Sequence, residues 1–182
     1  AALSPSCTAA VEAAVDAARG AGTTVSFDVN HRSALWREEQ ARPVLKRLAG
    51  AADIVFAGAE EARLILGAPD ERPAAEWARA LADLGPEQVV VKRGSAGAVA
   101  LVRGRLLDEP GLAVTAVDHV GAGDAFVAGY LAAHLDGATP EERLRTANMT
   151  GAFAVTVSGD WEGAPTREEL ALLAHGTGTV LR

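Results

Sequence analysis

Two spacings of apolar residues alternate along the chain. From Ser6 to Arg19 (SCTAAVEAAVDAAR) they recur at helical spacing, and in short runs such as TTVSFDV they crowd together with β-branched residues. The first stretch predicts an Ala-rich amphipathic helix ended by Gly20 and Gly22, residues that accept the left-handed backbone of a helix terminus. A strand is expected over Thr23–Val29, followed by a loop with Asn30 and Arg32. Helical spacing returns over Glu38–Leu48, DIVFA (Asp53–Ala57) predicts a strand, and Glu60–Leu66 a short helix closed by Gly67. Pro73–Leu84 is again helical, and QVVVKRG from Gln88 leads into the strand pair GAVALV and RLLDE. AVTAVDH runs into a glycine loop, with helices expected at about Asp124–Leu135, Glu141–Val157 and Arg167–Ala174, the last behind Thr166 as N-cap.

Strands separated by helices imply a parallel sheet covered on both faces. The expected fold is doubly wound α/β with a mostly parallel sheet, and residues 1–182 read as one domain without repeats or a low-complexity linker. Composition agrees, since 49% apolar residues with few aromatics suit an Ala-rich α/β core. A net charge of −7 offers no basic patch for nucleic acid or an anionic membrane, so small-molecule partners are expected. No apolar run reaches the roughly 20 residues of a membrane span. A lone Cys7 leaves no internal disulfide and no cysteine-based zinc site, which suits a reducing cytoplasm.

In doubly wound sheets ligands sit beyond the carboxyl ends of the strands. Four loops there carry chemistry: Asp28, Asn30 and Arg32; Gly58 to Glu61; Lys92 to Gly97; and Gly121 to Asp124. The last is the most informative. Gly121 and Gly123 let the backbone approach a ligand closely, and a helix N-terminus presents free N–H groups and partial positive charge. An acid at that place repels a bound anion, so Asp124 makes better sense as a base than as an anion ligand. The loop is neither a Walker A nor a G-x-G-x-x-G fingerprint, and spacing alone leaves a phosphate site and a plain turn with an acidic N-cap both open.

The stretch DHVGAGDAFVAGYLA closely resembles the C-terminal signature of the ribokinase-like, or PfkB, carbohydrate kinases, Asp-Thr-x-Gly-Ala-Gly-Asp-x-Phe-x-x-Gly. The resemblance continues through FDVNHRSALW (Phe27–Trp36), VVVKRGSAGA (Val89–Ala98), ANMTGA (Ala147–Ala152) and SGDWEGAPTREEL (Ser158–Leu170), covering essentially the whole chain. The Asp-x-Asn-x-Arg loop and the late Gly-Asp-x-Glu-Gly-Ala-Pro segment look most like 2-keto-3-deoxygluconate kinases, with fructokinases nearest to them.

The resemblance implies a ribokinase-like fold, ATP and Mg²⁺ as cofactors, and a sugar or sugar acid as acceptor. It makes Asp124 the catalytic base and the backbone of Gly121, Ala122 and Gly123 the anion hole. Lys92, Gly94, Ser95 and Gly97 would line the nucleotide, Asn148 would flank the adenine, and Asn30 would reach nucleotide and sugar acid. Arg32 would bind the sugar acid, whose carboxylate suits a guanidinium fork, and Asp160 the sugar hydroxyls. The residues alone also allow plainer roles: Arg32 as a solvated loop residue, Lys92 as a polar strand end, Asp160 and Glu162 as turn formers, and Asn148 on an exposed helix face. His31, His119, His134 and His175 lack metal-ligand spacing, and Trp36, Trp77 and Trp161 read as packing residues.

Two departures from the family pattern stand out. Its Asn-x-x-Glu, which helps organise magnesium, is here GAEE, so Glu61 remains as an indirect metal residue and Gly58 takes the Asn place. His119 replaces Thr beside the anion hole. The resemblance also reaches only the family's C-terminal portion, without the part that supplies the first strands and lid. The expectation is therefore a truncated kinase, or a chain that associates, as a homo-oligomer or otherwise, through its open side. A catalytic sugar kinase and a nucleotide-binding fragment both remain open at this level.

Overall fold

The apolar runs without internal polar positions become the middle of a sheet. The structure is a computed structural model that describes residues 1–170. Strands β1 (Ser26–Asp28), β2 (Ile54–Gly58), β3 (Gln88–Lys92), β4 (Ala98–Val102) and β5 (Arg105–Glu109) lie side by side in chain order. β1 runs parallel to β2, with Phe27 opposite Val55, and β2 parallel to β3, with Phe56 opposite Val90. Parallel neighbours need long crossovers. These pass through α2 (Glu38–Ala51), then α3 (Ala59–Leu66) and α4 (Ala74–Ala82). Residues 93–97 and 103–104, by contrast, are short links that only antiparallel neighbours accept. The α/β class is as expected, with a parallel core and an antiparallel hairpin side.

The chain gathers into two compact units. The first comprises Ala1–Arg93 with Val99–Leu107. Its core sets Leu45, Ile65, Trp77 and Leu81 from the helices against Val55, Val89 and Val91 from the sheet. Ile54, Phe56 and Val90, which point the other way, are just as buried, so these strands read as continuous apolar runs rather than alternating ones. Helix α1 (Pro5–Gly20) buries no residue; a Glu12–Arg47 ion pair and a 2.7 Å hydrogen bond from Arg19 to the Ala51 carbonyl link it to α2.

The second unit holds Gly94–Ala98 and the chain from Asp108 onward. Helices α5 (Ala122–Leu135) and α6 (Pro140–Ala154) pack on each other. Thr139 and Glu142 form a capping box at the start of α6. Gly129 on α5 lies against Thr150 on α6, so closely that a Cβ there would collide with the Thr150 side chain.

Several boundaries differ from expectation for local reasons. β1 is shorter than Thr23–Val29, because Asp53 diverts Val25: its carboxylate accepts the Val25 N–H at 2.7 Å, and its own N–H donates to the Val25 carbonyl. Asn30, at φ 40°, turns the chain away at the other end. Gly20 remains helical, and Gly22 alone supplies the left-handed residue, at φ 69°. α6 stops at Ala154, and the next carbonyl, of Val155, accepts the N–H groups of Val117 and Asp118. Residues 167–170 are helical behind a Thr166–Glu169 capping box, while the expected continuation to Ala174 lies outside the described residues. Among the described residues no helix is long and apolar enough to cross a membrane.

The α5–α6 contact predicts a stability effect. In Gly129→Ala the new methyl meets the Thr150 Cβ as well as its branches, so rotating that side chain gives no relief. The expected loss is about 1–3 kcal/mol, read as a lower urea midpoint at unchanged slope.

Candidate functional site

In the first unit, parallel pairing brings the carboxyl ends of β1, β2 and β3 to one edge of the sheet. There Lys92, on β3, donates to both carboxylate oxygens of Asp28, on β1, at 2.8 and 3.0 Å. The pair spans the intervening β2, whose Phe56 lies opposite Asp28 and whose Gly58 lies opposite Lys92, and is mostly buried. Lys92 is thus a held cation, not a loose strand end. Asp28 was visible as a strand-end acid, but pairing with a lysine 64 residues away leaves no mark in sequence.

Glu61 sits in the first turn of α3 and organises backbone. Its two carboxylate oxygens accept the N–H groups of His31, at 2.8 Å, and Gly58, at 2.7 Å. The first bond pins the loop that carries Asn30 and Arg32. Both of those residues are exposed. With Asp28, Leu35 and Trp36 they line a groove of about 230 Å³.

In the second unit, the N-cap of α5 is Gly121, at φ 73°, and no side chain caps the helix. Ala122, Gly123 and Asp124 form its first turn, so Asp124 lies three residues into the helix and is not the acidic N-cap that spacing had allowed. The Asp124 side chain is exposed and makes no hydrogen bond or ion pair among the described residues. The glycine turn is held from below by Asp118, whose two oxygens accept the Val120 N–H at 3.1 Å and the Gly159 N–H at 3.2 Å. Those two amides keep the Asp118 carboxyl below the ordinary carboxylate range.

Asp160 comes to the same place. A Cβ on Gly121 would strike its carbonyl oxygen and a side-chain oxygen. Glu162 takes the turn-ordering role, since its carboxylate accepts the N–H groups of Asp160 and Trp161 at 3.0 and 3.2 Å. Trp161 is 76% exposed and so does not pack as expected, whereas Trp77 is fully buried.

Gly94–Ala96 form a single 3₁₀ turn ahead of Gly97, whose φ is 93°. Asn148 is 7% exposed, against the exposed-face alternative, and its Nδ2 donates to the Glu109 and Pro110 carbonyls, both at 3.2 Å. Among the described residues no three His, Cys, Asp or Glu side chains group as a metal site; His175 lies outside them.

A family model for the pfkB family carbohydrate kinases matches residues 1–167. The chain belongs to this family. It is 38% identical over 165 residues to a fructokinase of Klebsiella pneumoniae, covering 87% of this chain and 53% of that protein. A 2-dehydro-3-deoxygluconokinase of Bacillus subtilis is 35% identical over 171 residues, covering 89% of this chain and 50% of that protein. Among solved structures, a Vibrio cholerae fructokinase in its fructose, ADP and calcium ion bound form superposes with a TM-score of 0.78 at 30% identity, over 90% of this chain and 54% of that one. This PfkB chain spans about half the length of the curated relatives it matches. Its α/β fold is the one these carbohydrate kinases share.

The Asp118 tether predicts a pH dependence at the glycine turn of this PfkB chain. A depressed folded pKa means the two N–H bonds persist above the ordinary aspartate value of about 4 and are lost as pH falls through the lower folded value. The protection factors of the Val120 and Gly159 amides, each rate taken against the intrinsic rate at the same pH, should therefore hold at neutral pH and fall only in acid, and Asp118→Asn should show the lower protection at neutral pH.

Proposed function

We propose that this chain carries the phosphoryl-transfer part of an ATP-dependent sugar kinase, moving the γ-phosphate of MgATP to a hydroxyl of 2-keto-3-deoxygluconate. The observation that carries the reading is the uncapped glycine turn at the start of α5 with an exposed carboxylate in the same helical turn. Free N–H groups there suit an anion whose charge shifts during transfer, and the glycines keep side chains away from it.

In this reading Asp124 accepts the proton of the sugar hydroxyl as the oxygen attacks the γ-phosphorus. The bond from that phosphorus to the β–γ bridging oxygen breaks, and ADP leaves with the electron pair. The N–H groups of Ala122 and Gly123, with the Gly121 backbone, hold the charge on the transferring group. Asp160, which abuts the turn, orients the sugar hydroxyls. Lys92, Asn30, Gly94, Ser95 and Gly97 are assigned to the nucleotide; the Asn148 amide nitrogen is already held by the Glu109 and Pro110 carbonyls. Magnesium, when bound, neutralises phosphate charge. The donor set fits an ion that arrives on the phosphates and keeps much of its water, with Glu61 acting through water because its oxygens already hold two amides.

Arg32 favours a sugar acid over a neutral sugar, because an exposed guanidinium fork lining a groove matches a carboxylate. The name of the Bacillus subtilis relative supports that acceptor, and the name of the Klebsiella pneumoniae relative makes fructose the competitor.

The test is ATP-dependent phosphorylation of 2-keto-3-deoxygluconate and of fructose. Asp124→Asn should lower turnover by about 10²–10⁴-fold while calorimetric MgATP binding persists. Arg32→Ala should raise KM for the sugar acid roughly tenfold or more and leave the fructose KM unchanged. Turnover that survives in Asp124→Asn would refute the assigned base. MgATP binding without turnover on either sugar would leave a nucleotide-binding fragment as the better reading.

A further inference from the structure

Asn148 occupies a position where neither helix propensity nor solvent explains it. It lies in the middle of α6, is buried, and turns its amide group out of the helix toward two consecutive main-chain carbonyls, Glu109 and Pro110. That orientation is chemically determined, because the opposite one would set its own oxygen against both carbonyls. One turn earlier on the helix, Arg145 approaches the Glu109 carboxylate at 3.5 Å. The segment after β5 is thus fastened to α6 by main chain and by side chain.

That segment in turn fixes another. A Cβ on Gly97 would collide with the backbone of Glu109, Pro110 and Gly111, and one on Gly111 with the backbone of Ser95 and Gly97. Two stretches of main chain therefore lie directly on each other, with no side chain between them to absorb a shift. The Gly97 N–H also closes the Gly94–Ala96 turn by donating to the Gly94 carbonyl at 3.1 Å. A displacement of residues 109–111 is transmitted straight to residues 94–97.

We propose that Asn148 is a positioning residue: its carboxamide holds the Glu109 and Pro110 carbonyls and, through the Gly111–Gly97 contact, sets the Gly94–Gly97 turn for the nucleotide. This rests on the assignment of that turn to ATP made above, but gives Asn148 a different part, acting on the protein backbone in place of the adenine. Arg145 supports the same segment from the exposed side, where its removal leaves the helix interior untouched.

The experiment is MgATP calorimetry with mass-spectrometric hydrogen exchange on the full chain, Asn148→Asp and Arg145→Ala. Asn148→Asp replaces two donors by a carboxylate facing two carbonyls, and should weaken MgATP binding by about tenfold or more. Exchange should rise in residues 94–97 and 109–111, with β1–β3 unchanged. Arg145→Ala should shift both readouts the same way by less, and decides the matter if Asn148→Asp does not fold. Wild-type MgATP affinity in folded variants would overturn this inference alone. So would faster exchange spread evenly along α5 and α6, the mark of a merely structural helix residue. No MgATP binding by the unsubstituted chain would overturn it together with the assignment of the turn to ATP.

Discussion

The glycine turn of the second unit depends on a close approach of backbone to backbone at Gly121. The carbonyl and a side-chain oxygen of Asp160 occupy the space that any Cβ at Gly121 would need, and the turn itself is left-handed. Only glycine meets both conditions. Because the turn can form, α5 starts without a side-chain cap; its Ala122 N–H makes only a long 3.5 Å bond to the His119 carbonyl. Asp118 below the turn keeps it in shape by taking the Val120 and Gly159 amides, so two loops distant in sequence are joined by one carboxylate.

The polar side chains near these loops divide by what they bind. Glu61, Asp118, Glu162 and Asn148 spend their hydrogen bonds on main-chain groups, and each fixes a loop. Lys92 and Asp28 satisfy each other across the strand ends. Arg32 and Asp124 are exposed. The division follows placement, not residue type: Asp118 and Asp124 stand six residues apart, yet one holds two amides while the other is exposed.

Apolar sequence runs settled β2, β3 and β4 almost to the residue, because strands buried on both faces carry no competing polar signal. Gly67 marked the end of α3 for an equally local reason, a left-handed C-cap at φ 64°. Where local preference met a long-range bond, the sequence reading failed. β1 lost its first residues to Asp53, and α6 ended short where the Val155 carbonyl meets the chain before the glycine turn.

The chain's sequence by itself determined the order of elements, the glycine turn with its acid, and the family, since each is written in neighbouring residues whose spacing is their meaning. Tertiary structure alone decided the partners: Lys92 with Asp28, Glu61 with the His31 amide, and Asn148 with the carbonyls beyond β5. Those contacts join positions 30 to 64 residues apart. Their geometry arises only when strand register and helix packing have brought them within hydrogen-bonding distance, and no local pattern encodes that distance.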